Sequence, residues 1–279
     1  MLRQRVITAV VLLALLLPAL FAASALPFAL LTLVLISAAG WEWARLNGVN
    51  ARLPALASGV LLAAMCGASL LHLPELGAVG GLWLLGAAVW LLGAALVLWR
   101  GPAGWPVWPA WLRWLLGMAL LWLAWLALAQ ARTVGINFLL SVMCVVWVAD
   151  IAAYFSGRAF GRRKLAPSIS PGKSWEGVYG GVAGVLLLAL AWLWLEPQFN
   201  LDSPSLFLLL KQRLGPGGLL LAALLLTALS VMGDLFESLV KRAAGAKDSS
   251  ALLPGHGGVL DRVDALLPVL PTALALISL

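Results

Sequence analysis

Acidic and basic side chains that could handle a phosphate group are concentrated near the end of the chain. Asp234, Glu237 and Lys241 follow one another at helical spacing and so share one face of a helix. A turn-rich segment with several glycines, 254–258, and Asp261 come next. Carboxylate oxygens suit Mg²⁺, lysine and arginine suit phosphate oxygens, and the amides of a glycine-rich loop can cradle an anion. This region therefore predicts a site for phosphate chemistry.

A second group of charged residues lies between 150 and 176. Asp150 and Tyr154 are one helical turn apart near the end of a hydrophobic segment, and the basic, glycine-punctuated stretch 157–164 follows. Taken alone, this stretch is more typical of a positively charged cytoplasmic loop or of a contact with anionic lipid than of a catalytic site. The run 172–174 is similar to the end of a P-loop, but Pro167 stands where the first glycine of that motif is required. We reject a nucleotide-binding P-loop here.

The alternative for any single charged residue is a solvated loop with incidental ion pairs. The two stretches 150–176 and 231–264, however, hold 16 of the 29 charged residues, a density that favours a functional site. His256 stands among glycines, and it is either a phosphate-contacting residue or a loop residue that satisfies backbone carbonyls. The two cysteines, Cys66 and Cys144, lie in apolar runs and are interpreted as helix-packing residues.

The composition decides the class of protein. Of 279 residues, 63% are hydrophobic and 10% are charged, with a mean hydropathy of +1.03. Soluble domains carry about a quarter charged residues, so an ordinary soluble enzyme, a disordered chain and a disulfide scaffold are excluded. Apolar runs of about 20 residues predict an all-α polytopic membrane protein. We expect about nine spans, near 6–24, 27–45, 54–73, 78–99, 111–130, 134–155, 177–195, 217–240 and 264–279. The first span is expected to be retained rather than cleaved as a signal peptide.

The distribution of lysine and arginine predicts the orientation. With a cytoplasmic N-terminus, three basic residues are external, namely Arg132, Lys211 and Arg213, and the other 15 are cytoplasmic. The cytoplasmic set is Arg3, Arg5, Arg45, Arg52, Arg100, Arg113, Arg158, Arg162, Arg163, Lys164, Lys173, Lys241, Arg242, Lys247 and Arg262. This asymmetry explains the net charge of +7 without a nucleic-acid partner. Loops 156–176 and 241–263 are then cytoplasmic. Residues 1–130 are expected to form a scaffold, dimer-forming or lipid-facing part, and 131–279 the catalytic part.

The C-terminal cluster resembles a known signature. The run Ser238-Leu239-Val240-Lys241-Arg242, then Lys247-Asp248, then 254–264 is similar to the signature of bacterial phosphatidate cytidylyltransferases, also called CDP-diacylglycerol synthases. The segments 150–158 and 170–177 are similar to a second block of that family. The resemblance implies a reaction of CTP with phosphatidate that gives CDP-diacylglycerol and pyrophosphate, and it implies Mg²⁺. A monovalent cation such as K⁺, a homodimer and a bacterial inner-membrane location are implied as well.

The same resemblance implies roles for individual residues. Asp234 and Asp261 are expected to be the metal ligands, with Asp248 next. The expected catalytic set adds two cations and comprises Asp234, Asp248, Asp261, Lys241 and Arg262. We expect substrate binding by Asp150, Tyr154, Lys173, Ser174, Ser238, Arg242, Lys247, Gly255, His256, Gly257 and Gly258.

Two other functions compete with this one. A transporter could use Asp234 as an intramembrane ion site, but we would then expect a matching charge pattern in the first half, which contains only Glu42 and Glu75 as acids before residue 130. The CDP-alcohol phosphatidyltransferases carry an Asp-Gly-x-x-Ala-Arg pattern followed by Gly and two Asp residues, and this sequence has no such run.

Overall fold

The computed structural model describes residues 2–71 and 80–279, and it confirms an all-α polytopic membrane protein. Within these residues, eight helices are long and apolar enough to cross a membrane. They are α1 (Leu2–Leu20), α2 (Leu26–Leu46), α3 (Arg52–Leu70), α4 (Gly80–Arg100), α5 (Ala110–Val134), α6 (Ile136–Phe160), α7 (Trp175–Leu195) and α8 (Leu206–Ala243). The first seven expected spans thus correspond to helices whose ends differ by at most five residues. His72 and Glu75 lie outside the described residues.

The ninth expected span, 264–279, is shorter than predicted. The chain forms one turn of helix, α9 (Leu260–Val263), and then α10 (Leu266–Ser278), which has 13 residues. A helix of that length rises only about 20 Å, less than the ~30 Å of a hydrocarbon core. Most of α10 is buried, and it packs against α4, α5 and α8. Together, α9 and α10 run from Leu260, whose amide donates to Glu42, to Ile277, whose carbonyl accepts from Arg213, so this broken helix extends from one end of the bundle to the other.

Helix α8 is longer than the expected span 217–240, because two helices join at a kink. Gly215 has a φ of +72°, a left-handed conformation that favours glycine, and Pro216 follows it. Beyond the kink the helix continues to Ala243 and carries Asp234 towards its C-terminal end. The charged residues at 234–241 therefore lie on a continuous helix.

The segment 156–176, expected to connect two spans, contains ordered secondary structure. Helix α6 continues to Phe160, and an antiparallel hairpin follows, formed by β1 (Lys164–Ala166) and β2 (Ser170–Ser174). In this hairpin Lys164 is opposite Ser174. Helix α7 begins directly after β2. The hairpin lies between the ends of two packed helices.

Glycines allow α6 and α7 to approach closely. A Cβ atom placed on Gly180 would lie 1.9 Å from the Oγ atom of Ser156, and one on Gly184 would lie 2.7 Å from the Cβ atom of Ala152. Small residues four apart are a common way for membrane helices to pack. Larger side chains at these positions would push the helices apart and move the hairpin that joins them.

Contacts between distant segments place the two charged regions at one end of the bundle, here named the site end. It comprises the hairpin and the loop 244–259. The Thr8 hydroxyl donates to the carbonyl of Pro254 at 3.0 Å, and Arg242 Nε donates to the carbonyl of Ile169 at 3.3 Å. The other end, here named the opposite end, comprises residues 20–25, 132–137 and 196–205. There Arg132 Nε donates to the carbonyl of Leu20 at 2.9 Å.

Candidate active site

A cavity of about 440 Å³ opens at the site end between α6, the hairpin, α7 and α8. Its wall includes five of the residues expected to bind substrate or metal, namely Asp150, Tyr154, Lys173, Ser174 and Asp234. These residues come from three separate elements of the chain, α6, β2 and α8. The structure therefore brings together the two sequence clusters that the sequence analysis treated separately.

An ion pair between the hairpin and α8 lies in this cavity. Lys173 Nζ is 2.5 Å from the Oδ2 atom of Asp234, and the two side chains are 25% and 28% exposed. Ser238, one helical turn further along α8, donates its hydroxyl to the Oδ1 atom of Asp234 at 3.3 Å. Asp150 lies within electrostatic range of both members of the pair. A flexible lysine paired with a carboxylate in an open cavity can exchange that partner for a phosphate oxygen.

Two other cavity residues have local structural contacts. Ser174 is the N-cap of α7, because its backbone is extended and its Oγ atom accepts a hydrogen bond from the amide of Gly177 at 3.2 Å. The guanidinium of Arg158 donates to the Tyr154 hydroxyl at 3.3 Å. Ser174 thus fixes where the helix starts, and substrate binding by Ser174 and Tyr154 stays a prediction.

Asp261 belongs to a second cluster, which is more enclosed. Its Oδ1 atom accepts from Lys241 Nζ at 2.6 Å, and its Oδ2 atom accepts from the amides of Ser249 at 2.9 Å and Gly258 at 2.7 Å. Lys241 also pairs with the buried Glu237. Burial raises the pKa of Asp261, but the hydrogen bonds from Lys241 and the two amides outweigh this effect and lower it to about 2. Asp261 is therefore held as a carboxylate.

The expected metal ligands occupy different positions. Asp234 pairs with Lys173 and Asp261 pairs with Lys241, while Asp248 is exposed on the loop. In residues 2–71 and 80–279, no three His, Cys, Asp or Glu side chains converge as a metal site. Mg²⁺ in phosphate-transfer sites usually takes one or two carboxylates and completes its shell with water and substrate oxygens. The carboxylates of the cavity suit such a cation, and ligation by Asp234 and Asp261 together stays a prediction.

The glycine-rich segment 254–258 forms a tight turn as expected. Gly255 and Gly257 have φ values of +79° and +84°, which other residues rarely adopt. The turn is closed by the amide of His256, which donates to the carbonyl of Leu253 at 2.8 Å. A Cβ atom on Gly257 would also lie 2.7 Å from the Oδ2 atom of Asp261. The turn therefore packs directly against the second carboxylate cluster.

The remaining expected cations lie around this turn. Arg262 donates to the carbonyl of His256 at 2.6 Å and is exposed. Arg242 joins the loop to the hairpin through the carbonyl of Ile169. Lys247 is exposed. Their side chains reach solvent at the site end, and their contacts with substrate stay predictions.

Glu42 is a residue of this region that the sequence analysis treated only as part of a scaffold. It lies in α2, is 0% exposed, and accepts hydrogen bonds from the hydroxyls of Ser249 and Ser250 and from the amides of Val259 and Leu260. The only sequence feature that could have pointed to Glu42 is its position as a single acidic residue, followed by Trp43, in an apolar helix. Its partners lie more than 200 residues away in the sequence, and nothing in the sequence names them.

Comparison with known proteins agrees with this geometry. The model of the cytidylyltransferase family matches residues 3–279. The chain belongs to this family. A relative from Pseudomonas aeruginosa named phosphatidate cytidylyltransferase is 44% identical over 280 residues, which cover 99% of this chain and 97% of the relative. A protein of the same name from Haemophilus influenzae is 47% identical over 49% of this chain and 44% of its own length. Another from Brucella suis is 40% identical over 67% of this chain and 62% of its own length. The resemblance stated from the signature residues is confirmed.

Proposed function

We propose that the chain is a phosphatidate cytidylyltransferase that converts CTP and phosphatidate into CDP-diacylglycerol and pyrophosphate. The observation that carries the proposal is the similarity to the Pseudomonas aeruginosa relative over nearly the whole length of both chains. The cavity supports it, because carboxylates, a lysine and an arginine meet at one end of a bundle of apolar helices. A lipid substrate can keep its tails among those helices while its head reaches a nucleotide from the aqueous side.

The chemistry needs no strong base. An oxygen of the phosphatidate phosphomonoester, already ionised at neutral pH, attacks the α-phosphorus of CTP. The bond from that phosphorus to the bridging oxygen breaks, and pyrophosphate leaves with the electron pair. The barrier is dominated by repulsion between two anions, so positioned cations lower it. In this proposal Lys173 and Arg158 bind phosphate oxygens in the cavity, and Lys241 with Arg262 neutralises charge beside the turn.

We further propose Mg²⁺ as the cofactor, held by Asp234 and Asp261, with Asp248 as the next candidate. The bound cation would neutralise the triphosphate and hold the attacking and leaving groups in line. The carboxylates of the cavity, Asp150 and Asp234, would also suit a monovalent cation such as K⁺. A homodimer in a bacterial inner membrane, with the N-terminus in the cytoplasm, completes the proposal, and the asymmetric distribution of lysine and arginine supports this orientation.

The decisive experiment uses the purified protein in detergent with phosphatidate and labelled CTP. We expect labelled CDP-lipid and an equal amount of pyrophosphate in the presence of Mg²⁺, and neither product after chelation. Diacylglycerol, which lacks the phosphate nucleophile, is the matched control substrate and should give no product. Properly folded protein that releases no pyrophosphate from CTP and phosphatidate would refute the proposal.

A further inference from the structure

A carboxylate from the first half of the chain lies at the centre of the signature loop. The side chain of Glu42 accepts two hydrogen bonds on each oxygen. Its Oε1 atom accepts from the hydroxyl of Ser250 at 2.6 Å and the amide of Val259 at 3.0 Å. Its Oε2 atom accepts from the amide of Leu260 at 2.7 Å and the hydroxyl of Ser249 at 3.2 Å. Glu42 therefore joins both ends of the segment 249–260.

The same contacts connect Glu42 to the second carboxylate cluster, which contains Asp261. The hydroxyl of Ser249 lies between two carboxylates, 3.2 Å from Glu42 Oε2 and 2.9 Å from Asp261 Oδ2, and its single proton is donated to one of them at a time. Asp261 in turn holds Lys241. Gly258 fits between them only because it has no side chain, since a Cβ atom there would lie 2.3 Å from Glu42 Oε1 and 2.1 Å from Ser249 Oγ. The position of Asp261 thus depends on a chain of contacts that begins at Glu42.

Helix α2 is a rigid base for this carboxylate. Trp43, the next residue, is 3% exposed, and its indole N–H donates to the carbonyl of Arg113 at 3.1 Å. Its ring stacks on Phe236 of α8, with ring centroids 6.1 Å apart. The side chain of Glu42 is consequently fixed relative to α8, the helix that carries Asp234 and Lys241.

We propose that Glu42 is a positioning residue for cytidylyl transfer, which holds the loop 249–260 so that Asp261 and Lys241 meet the nucleotide phosphates in a fixed geometry. Glu42 does not line the cavity and contacts no reacting atom in this arrangement. The kinetic part of the proposal rests on the proposed function, whereas the contacts with the loop do not.

Glu42→Gln tests the proposal with little change in side-chain size. A glutamine presents one oxygen and one N–H₂ group, and the N–H₂ group cannot accept from the amides of Val259 or Leu260. We expect the kcat/KM for CTP to fall at least tenfold and the Mg²⁺ concentration for half-maximal activity to rise, with the KM for phosphatidate changed less than twofold. Amide hydrogen exchange without substrate should accelerate at 259–260 and remain unchanged in α5 and α6.

Glu196→Gln is the matched control. Glu196 is also buried and accepts hydrogen bonds from the amide and hydroxyl of Ser205, but it lies at the opposite end. We expect this variant to unfold at a lower temperature, while the folded protein keeps the wild-type kcat/KM and Mg²⁺ dependence. A Glu42→Asp variant, which keeps four acceptor positions on a shorter side chain, should recover part of the lost kcat/KM.

Several outcomes would overturn the proposal. Faster exchange at 259–260 with wild-type kcat/KM in Glu42→Gln would show that the loop needs no fixed position. Equal loss of activity in Glu42→Gln and Glu196→Gln, in proportion to unfolded protein, would show an effect on stability alone. If the wild-type protein transferred no cytidylyl group, the proposed function would fail, and the exchange data would still decide whether Glu42 holds the loop.

Discussion

The two ends of the bundle both contain carboxylates, and their hydrogen-bond partners differ. At the opposite end, Asp202 accepts from the backbone amides of Ile136 at 2.5 Å and Asn137 at 3.0 Å. At the site end, Asp234 is paired instead with the side chain of Lys173 in an open cavity. Backbone amides are fixed by the helix they belong to, whereas a lysine side chain can rotate. The first arrangement fastens the fold, and the second leaves both partners available to a substrate.

Glu42 and Asp261 combine the two kinds of arrangement. They accept from backbone amides, as the carboxylates of the opposite end do, yet they lie at the site end and Asp261 also holds Lys241. We infer that the site end needs both kinds of carboxylate. On this inference, displaceable pairs would bind the substrate, and fixed carboxylates would keep the loop around it in place.

The largest effect on kcat is expected from substitutions of Asp234, which pairs with Lys173, and of Asp261, its proposed partner in metal binding. Asp234→Asn and Asp261→Asn keep the side-chain size and remove the charge, so each should lower kcat by at least about 100-fold, on the order of 2.7 kcal/mol in barrier. The rate is measured as CDP-lipid formed per folded protein over a range of Mg²⁺ concentrations. Asp202→Asn, the same substitution at the opposite end, should leave kcat and the Mg²⁺ dependence unchanged.

Near-normal rates and Mg²⁺ dependence in both site-end variants would contradict the metal site assigned to Asp234 and Asp261. Asp248 and Asp264 would then be the next pair to test. A loss of rate in Asp202→Asn as large as in Asp234→Asn would remove the distinction between the two ends.

How far the sequence predicts this molecule depends on whether a feature is local. Helical segments follow from runs of about 20 apolar residues, and the turn at 254–258 follows from its glycines. Both are properties of neighbouring residues, and both were predicted. The break in the final span, between α9 and α10, was not predicted, because no glycine or proline marks residues 264–265.

The contacts of the site were beyond prediction for the same reason. The pair of Lys173 with Asp234 depends on a hairpin whose residues, Ser170-Pro171-Gly172, show no alternation of apolar and polar side chains. The role of Glu42 depends on partners from the other half of the chain. One sequence shows which residue types are present, and only the packing of α2, α6 and α8 shows which of them meet.

A second prediction separates cations of the site from cations that only set the orientation. Lys173→Ala removes the partner of Asp234, and Arg262→Ala removes a cation beside the turn, so each should lower kcat/KM for CTP by about 10-fold or more, roughly 1.4 kcal/mol. Arg163→Ala is the control, because the Arg163 side chain is 67% exposed and does not line the cavity. Its guanidinium pairs with Glu176 at 3.6 Å and donates to the Tyr179 hydroxyl at 3.4 Å. Its kcat/KM should stay within about twofold of wild type. Equal losses in all three would mean that general positive charge, not the site, is being measured.

A smaller effect, on stability and not on rate, is expected from pH at the opposite end. Partial burial raises the pKa of Asp202, but the amides of Ile136 and Asn137 outweigh this and hold it below its usual value. The carboxylate therefore stabilises the fold above the unfolded pKa of about 3.9, and this contribution is lost as the pH falls through the folded pKa. Asp202→Asn should lower the unfolding temperature at pH 7, and the difference from wild type should narrow below about pH 4. Thermal unfolding in detergent at both pH values measures this, and a difference that widens in acid would contradict it.

The smallest functional effect is expected from substitutions that only report which side of the membrane each end faces. Ser168 in the hairpin and Ala251 in the loop are exposed at the site end, and Asn200 is exposed at the opposite end. Cysteines at 168 and 251 should resist a membrane-impermeant thiol reagent in intact cells and react in inverted vesicles, and a cysteine at 200 should do the reverse. Ala251 is chosen for the cysteine rather than the neighbouring Ser250, because the Ser250 hydroxyl donates to Glu42 at 2.6 Å. The unsubstituted protein, whose cysteines lie within α3 and α6, is the labelling control. All three variants should keep wild-type activity. Labelling at 168 and 251 from outside intact cells would reverse the orientation and place the site end away from the cytoplasm.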